Sequence, residues 1–210
     1  MVEFLDLAGY RCTHLGLTPV NRLLLPTLLR LLRQLAPPEN DARLLDLGCG
    51  NGAIAALLDQ RGYTVIGVDP SIEAISLAKN TYPEVAFELG SAYDDLRAQY
   101  GQFPVVISLE VVEHCYFPRK YASTLFSLVS ERGAAIVSTP YHGYLKNLAL
   151  ALSGKMDQHF DPLWDHGHIK FWSRRTLRTV LEEAGFRSVR FHLVGGIGPL
   201  AKGMIAVAKR

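Results

Sequence analysis

The chain has 210 residues, 49% of them hydrophobic and 20% charged, which is the balance of an ordinary globular protein with room for one sizeable core. Its 22 basic and 20 acidic side chains leave a formal charge of +2, so no strong global field draws it to nucleic acid or to an anionic membrane. Cys12, Cys49 and Cys115 are odd in number and form no Cys-x-x-Cys pair, a usage that fits thiols in a reducing compartment and a cytoplasmic location. The first residues carry no basic stretch followed by an apolar one, so no signal peptide is expected. Charge or proline interrupts every apolar run well short of the ~20 residues that span a bilayer.

From Pro19 to Leu35 the run PVNRLLLPTLLRLLRQL spaces its leucines for an amphipathic helix, with Arg22, Arg30 and Arg33 for a polar side and Pro26 as a kink or boundary. Residues 1–38 thus read as a helical preface that covers one edge of a sheet; a peripheral membrane helix or a partner-binding helix is the alternative. Ala36 to Asp41 breaks the pattern. Short apolar or β-branched runs then alternate with helical ones, the signature of β-α-β units in a mostly parallel sheet. Strands are predicted at Arg43–Leu47, Thr64–Asp69, Val85–Leu89, Val105–Leu109 and Ala134–Thr139, and helices at Ala53–Arg61, Ile72–Tyr82, Ala92–Tyr100 and Tyr116–Val129. The segment 141–172 leaves the alternation: it holds a short apolar helix, Tyr144–Ser153, and a stretch rich in His, Asp and Trp, and reads as a cap. A helix at Ser173–Glu183 and strands at Ser188–Val194 and Met204–Ala208, joined compactly through Gly195 to Pro199, complete a single domain over residues 1–210 with an antiparallel last pair.

The most informative stretch is Leu44-Leu45-Asp46-Leu47-Gly48-Cys49-Gly50-Asn51-Gly52, a strand that runs into a G-x-G-x-G turn opening a helix. Glycine at Gly48, Gly50 and Gly52 lets backbone approach a ligand closely, and the helix that follows presents unpaired N–H groups. The next strand ends at Asp69, where a carboxylate can accept both hydroxyls of a ribose. A nicotinamide fingerprint is G-x-G-x-x-G and places a pyrophosphate at the helix. Here the third glycine comes one residue earlier, and Asp46 would repel a pyrophosphate while attracting a ligand that bears an ammonium and a sulfonium. Charge therefore favours S-adenosyl-L-methionine; a nicotinamide-dependent oxidoreductase is the reading from another class.

The fourth strand leads into Glu110-Val111-Val112-Glu113-His114. In a helical turn Glu110, Glu113 and His114 would share one face, at the strand ends where doubly wound folds hold reacting groups. They could ligate Mg²⁺, Mn²⁺ or Zn²⁺ and so lower the pKa of an acceptor hydroxyl, with His168 completing the set. Alternatively His114 acts as a metal-free general base, or Glu113 and His114 only order the loop.

On DLGCGNG and VIGVDPS the sequence resembles the class I methyltransferases over roughly residues 40 to 210. The resemblance implies a doubly wound α/β fold with a seven-stranded, mostly parallel sheet. It adds Cys49, Pro70 and Leu109 to a cofactor-binding set with Asp46, Gly48, Gly50, Gly52 and Asp69, and places Ser91 and Ala92 beside the adenine. Through SLEVVEH and HIKFWSRRTLRTVLEEAGF the chain also resembles the O-methyltransferases of ubiquinone biosynthesis, whose Glu-x-x-Glu-His pattern is associated with metal and whose substrate is a polyprenylated catechol. Small-RNA 2′-O-methyltransferases share a comparable pattern. The cap departs from both families, so the expectation is methyl transfer to a small-molecule hydroxyl, with Tyr141, Tyr144, Phe160, Trp164 and Trp172 as aromatic walls. RNA methylation is the runner-up, and no concentrated Lys/Arg run supports it.

Overall fold

The computed structural model describes residues 15–37, 42–157, 159–160, 163–164 and 167–210. Helix α1 (Pro19–Leu35) begins at Thr18, whose hydroxyl accepts the Asn21 N–H at 3.1 Å. It continues through Pro26 rather than ending there, because burial of Leu24, Leu28, Leu31 and Leu32 on the sheet outweighs one missing hydrogen bond. Its apolar stripe is thereby occupied inside the fold. No helix among the described residues is long and apolar enough to cross a membrane.

The strands are β1 (Arg43–Leu47), β2 (Thr64–Asp69), β3 (Ala86–Leu89), β4 (Phe103–Leu109), β5 (Val129–Pro140), β6 (Ser188–Val194) and β7 (Gly203–Lys209). They form one sheet in the order β3-β2-β1-β4-β5-β7-β6. The first five pair in parallel, and β7 runs antiparallel to both its neighbours. Side chains alternate between two cores: Leu44, Val105 and Ile107 pack with α1, whereas Leu45, Leu47 and Val106 face the other side. Helices α2 (Ala53–Asp59) and α3 (Ile72–Thr81) share the α1 layer. The opposite layer holds α4 (Leu96–Tyr100), α5 (Pro118–Leu128) and α7 (Arg174–Glu183), while α6 (Tyr144–Leu152) lies in the cap.

Most predicted elements fall within a few residues of their observed limits, and three departures have clear causes. Helix α4 starts at Leu96, not Ala92, because the Asp94 carboxylate accepts the Ser91 N–H at 2.7 Å and holds a turn, leaving Asp95 to cap the helix. Strand β5 starts at Val129 because the chain passes directly from α5 into pairing with Phe103. The third departure, the turn after β4, belongs to the site itself.

Candidate active site

The sheet order reverses between β1 and β4, and the crevice at the carboxyl ends of these strands is where doubly wound folds bind ligands. At the end of β1, Gly48, Gly50 and Gly52 all adopt positive φ, +84°, +52° and +74°. Each is glycine for its own reason. A Cβ on Gly48 would strike the Val111 side chain, and one on Gly52 would come within 2.5 Å of Phe87, so these two let the turn pack. A Cβ on Gly50 would meet no atom of the described residues within 4 Å, as a cradle for a ligand requires.

Asp69 closes the cradle. Its carboxylate accepts the Gly50 N–H at 2.9 Å on one oxygen and the Ser71 N–H at 2.9 Å on the other, which fixes the β2 end against the turn and leaves each oxygen a further lone pair. Burial raises its pKa, opposed by those two N–H groups. Asp46 is almost wholly buried, and burial together with the nearby Asp69 charge lifts it to about 7. Relative to an ordinary aspartate that shift corresponds to on the order of 4 kcal/mol for holding Asp46 ionised, a cost that a cation bound in the cleft would offset. Asn51 braces the same turn, capping Ala53 N–H at 3.1 Å and reaching the Gly16 carbonyl at 2.9 Å. Pro70 follows Asp69 at the surface, Ser91 and Ala92 form the turn after β3, and Leu109 closes β4. All the cofactor residues expected from the sequence therefore lie along the carboxyl ends of β1 to β4.

The segment after β4 is not a helical turn carrying three ligands on one face. Glu110 takes φ +58°, a left-handed conformation that costs a non-glycine residue roughly 1–2 kcal/mol, and a tight turn from Val111 to Cys115 follows. The Ser138 hydroxyl at the end of β5 holds Glu110 there, accepting its N–H at 3.0 Å and donating to its carboxylate at 2.7 Å. Burial lifts the Glu110 carboxyl to about 7 against that donor. Because it is tied to β5, Glu110 stays out of the ligand cluster.

Among the described residues the cluster is Glu113, His114 and His168, with one potential ligand atom from each within 4.8 Å of the others. Glu113 is 1% exposed, and neither carboxylate oxygen finds a hydrogen-bond partner among the described residues. Burial, and next to it the Glu110 charge, raise its pKa well above the carboxylate range, against the weaker opposing pull of its own N–H and the Thr139 hydroxyl. His168 Nε2 stands 3.9 Å from a Glu113 oxygen, and burial, then His114, depress its pKa to about 4, so it is a neutral imidazole with a lone pair to offer. His114 Nδ1 lies 3.2 Å from the Gly167 carbonyl; with its proton there, Nε2 keeps a lone pair. An orphaned carboxylate beside two imidazoles suits a divalent cation of the Mg²⁺, Mn²⁺ or Zn²⁺ type.

The cap is fastened over this turn. The Ile169 and Lys170 N–H groups both donate to the Glu113 carbonyl at 3.0 Å, and the Trp172 indole donates to Val112 at 3.2 Å. That fastening carries His168 to its place and makes Trp172 a buried strut, not a wall of the cleft. Trp164 stacks at the histidine pair, 6.1 Å from His114 and 5.2 Å from His168, while Tyr144 is 79% exposed. His166 lies outside the described residues. One residue carried no role in the sequence reading: His142, just beyond β5, is buried with Nδ1 unbonded among the described residues and rings of His159, Phe160 and Phe171 around it. Its signal was position, since it follows a central strand at the edge that binds ligands.

With this geometry in view, a family model described as a methyltransferase domain matches residues 20–190. The ubiquinone biosynthesis O-methyltransferase of Caulobacter sp. (strain K31) is 37% identical over 121 residues, 56% of this chain and 48% of that protein. The protein of the same description from Thiobacillus denitrificans is 29% identical over 155 residues, 72% and 67% of the two chains. This chain thus spans about half to two thirds of the length of these relatives. In fold it is similar to the methyltransferase domain of bacterial CtHen1-C, with a TM-score of 0.69 at 23% identity over 90% of this chain and 98% of the other. Magnesium protoporphyrin IX methyltransferase from Synechocystis PCC 6803 aligns with a TM-score of 0.65, also at 23% identity, over 95% and 91%. The chain belongs to the methyltransferase-domain family and carries a class I, S-adenosylmethionine-dependent methyltransferase domain.

Proposed function

We propose that this protein transfers a methyl group from S-adenosylmethionine to a hydroxyl of a small acceptor, assisted by a divalent cation on Glu113, His114 and His168. The observation that carries the reading is the buried Glu113 carboxylate, to which, among the described residues, only the Thr139 hydroxyl and its own N–H lie near and neither in good hydrogen-bond geometry, beside two imidazoles at the strand end next to the glycine turn. A buried carboxylate without a partner is costly, and sites keep such a group where a ligand completes it. The several relatives named for ubiquinone biosynthesis support a ring hydroxyl, of the quinone-precursor kind, as acceptor.

When bound, the sulfonium supplies an electrophilic methyl group and the cation lowers the pKa of the acceptor hydroxyl. The protein's residues arrange the rest. Gly50 would let the donor lie against the main chain, Asp69 would accept its sugar hydroxyls, and the Asp46 charge would favour its cationic tail. Glu113, His114 and His168 would hold the cation, and Glu110, tied to Ser138, would take the hydroxyl proton. The neighbouring cap brings the Trp164 ring beside the cluster, where it would pack against a ring-shaped acceptor.

The test is production of S-adenosylhomocysteine from a panel of catechols after exhaustive chelation, with single cations added back. The expected result is turnover restored by one cation. Full turnover in chelated protein would instead assign the proton to His114 acting alone, and salt-sensitive RNA methylation without catechol turnover would replace the small acceptor.

A further inference from the structure

Helix α6 is amphipathic with its faces exchanged. Tyr144, Leu148 and Leu152 recur at i, i+4 and i+8 with Leu145 beside them, the spacing that ordinarily marks a buried face, yet they are 79%, 40%, 81% and 51% exposed. Ala149 and Ala151, exposed on the same helix, are apolar as well. The one charged residue of α6 is turned inward: Lys146 is 8% exposed, and its ammonium donates to the Tyr141 carbonyl at 2.8 Å and the Lys202 carbonyl at 3.4 Å. These two bonds pin the helix to the residues that follow β5 and precede β7, leucines outward. To bury a lysine and expose leucines is costly in water on both counts; in α1, by contrast, the leucines lie against the sheet.

The apolar face continues beyond the helix. The 3₁₀ turn Gly198–Leu200 packs on α6 and brings Ile197 and Leu200, 89% and 56% exposed, from the connection between β6 and β7. An apolar surface assembled from two distant segments marks a contact face, which single scattered leucines do not. Around it the charge is of one sign. Lys155 follows the helix, Lys202 follows the turn, and Arg174 and Arg175 border Tyr144 across a shared depression. All four are exposed, none has a carboxylate partner among the described residues, and Asp157 is the one acidic residue in segments 144–157, 173–178 and 195–203. An apolar centre with a basic rim fits a bilayer of anionic lipid: acyl chains take the leucines, headgroup phosphates take the cations, and Tyr144 belongs at the level between. A second copy of the chain fits less well, because it would set its own lysines and arginines against these. At nine residues, α6 is long enough to lie in the interface and too short to span it.

We infer that α6 and the Gly198–Leu200 turn form a docking surface for an anionic lipid bilayer, with Leu148, Leu152 and Ile197 entering the interface and Lys155, Lys202, Arg174 and Arg175 facing the headgroups. The inference stands whether or not the chain methylates a catechol, because its test reads binding alone. Full-length protein is sedimented with sucrose-loaded vesicles of phosphatidylcholine containing about one third phosphatidylglycerol, and with vesicles of phosphatidylcholine alone. The anionic vesicles are expected to bind at least about 10-fold more tightly, and less so as salt is added. In Leu148→Glu/Leu152→Glu, at exposed positions outside the catalytic machinery, binding is expected to weaken at least about 30-fold while S-adenosylhomocysteine affinity, which also reports folding, stays within about 2-fold. Arg174→Ala/Arg175→Ala is expected to weaken the anionic vesicles several-fold and leave the neutral ones unchanged. Wild-type protein that stays in the supernatant, or equal binding by the double glutamate variant, would overturn the assignment. So would a lipid-free dimer in sedimentation velocity that the two glutamates dissociate, since it would give the face to a second copy.

Discussion

The two halves of the crevice are built by different means. Along β1 to β3 the ligand wall is main chain: Gly50 leaves space, and the Asp69 carboxylate is fixed by N–H groups from its own strand end and the adjoining turn. Around β4 and β5 it is side chain, a carboxylate and two imidazoles of which His168 arrives from more than fifty residues downstream on a cap pinned to the Glu113 carbonyl. A wall of backbone is specified by a few adjacent residues and tolerates divergence elsewhere. A cluster of side chains depends on long-range packing, and it is the half that a change of acceptor can remodel without touching the cofactor.

That contrast breaks most sharply at Glu113. We expect Glu113→Ala to lower turnover at least about 100-fold with cofactor affinity within about 3-fold, because it removes one of the proposed cation ligands and leaves the glycine turn alone. Glu113→Met separates chemistry from folding: with the orphan carboxyl replaced by an apolar chain of similar size, the cation-free protein should melt roughly 2–4 °C higher, whereas the wild type alone should gain stability from added metal. A thermal scan with and without cation reads both. Asp69→Ala should do the converse, weakening S-adenosylhomocysteine about 100-fold in a calorimetric titration through loss of charge-assisted hydrogen bonds.

A smaller effect sharpens the charge argument. Burial holds Asp46 at about 7, so it is mostly protonated at pH 6 and mostly ionised at pH 8. The ionised form is the one that attracts a cationic tail, so affinity for S-adenosylmethionine should rise with pH, by about 10-fold between these limits. Asp46→Asn should flatten that dependence and stay at the weak end. The smallest change is expected from Ser138→Ala, which frees Glu110 from its strained position: turnover should fall roughly 3- to 10-fold, with the lower pH limit of kcat displaced upward as the carboxyl loses its donor and its pKa rises.

The backbone half was legible in the sequence. Three glycines at alternate positions after an apolar strand, with an aspartate at the next strand end, describe the cradle almost completely, because a turn is set by its own residues. The doubly wound sheet was legible for the same reason, since β1, β4 and the second half of β5 are apolar runs buried on both faces. The side-chain half was readable in composition and not in geometry. The Glu-x-x-Glu-His spacing suggested a helical face; the left-handed Glu110 that prevents it is imposed by Ser138, twenty-eight residues away on β5. Trp172 reads as an aromatic wall until its indole is seen to bond Val112, and His142 gains interest only when the fold buries it.

Gly50→Asn tests the placement of the donor most directly. Asparagine tolerates a positive φ, and the space that its side chain would enter holds no atom of the described residues within 4 Å of the Cβ position, so the unliganded variant should melt within a few degrees of the wild type. Its affinity for S-adenosylhomocysteine, measured by calorimetry, should nevertheless fall at least about 100-fold, because the added atoms occupy the ligand's place. A folded Gly50→Asn protein that binds S-adenosylhomocysteine as tightly as the wild type would contradict the account.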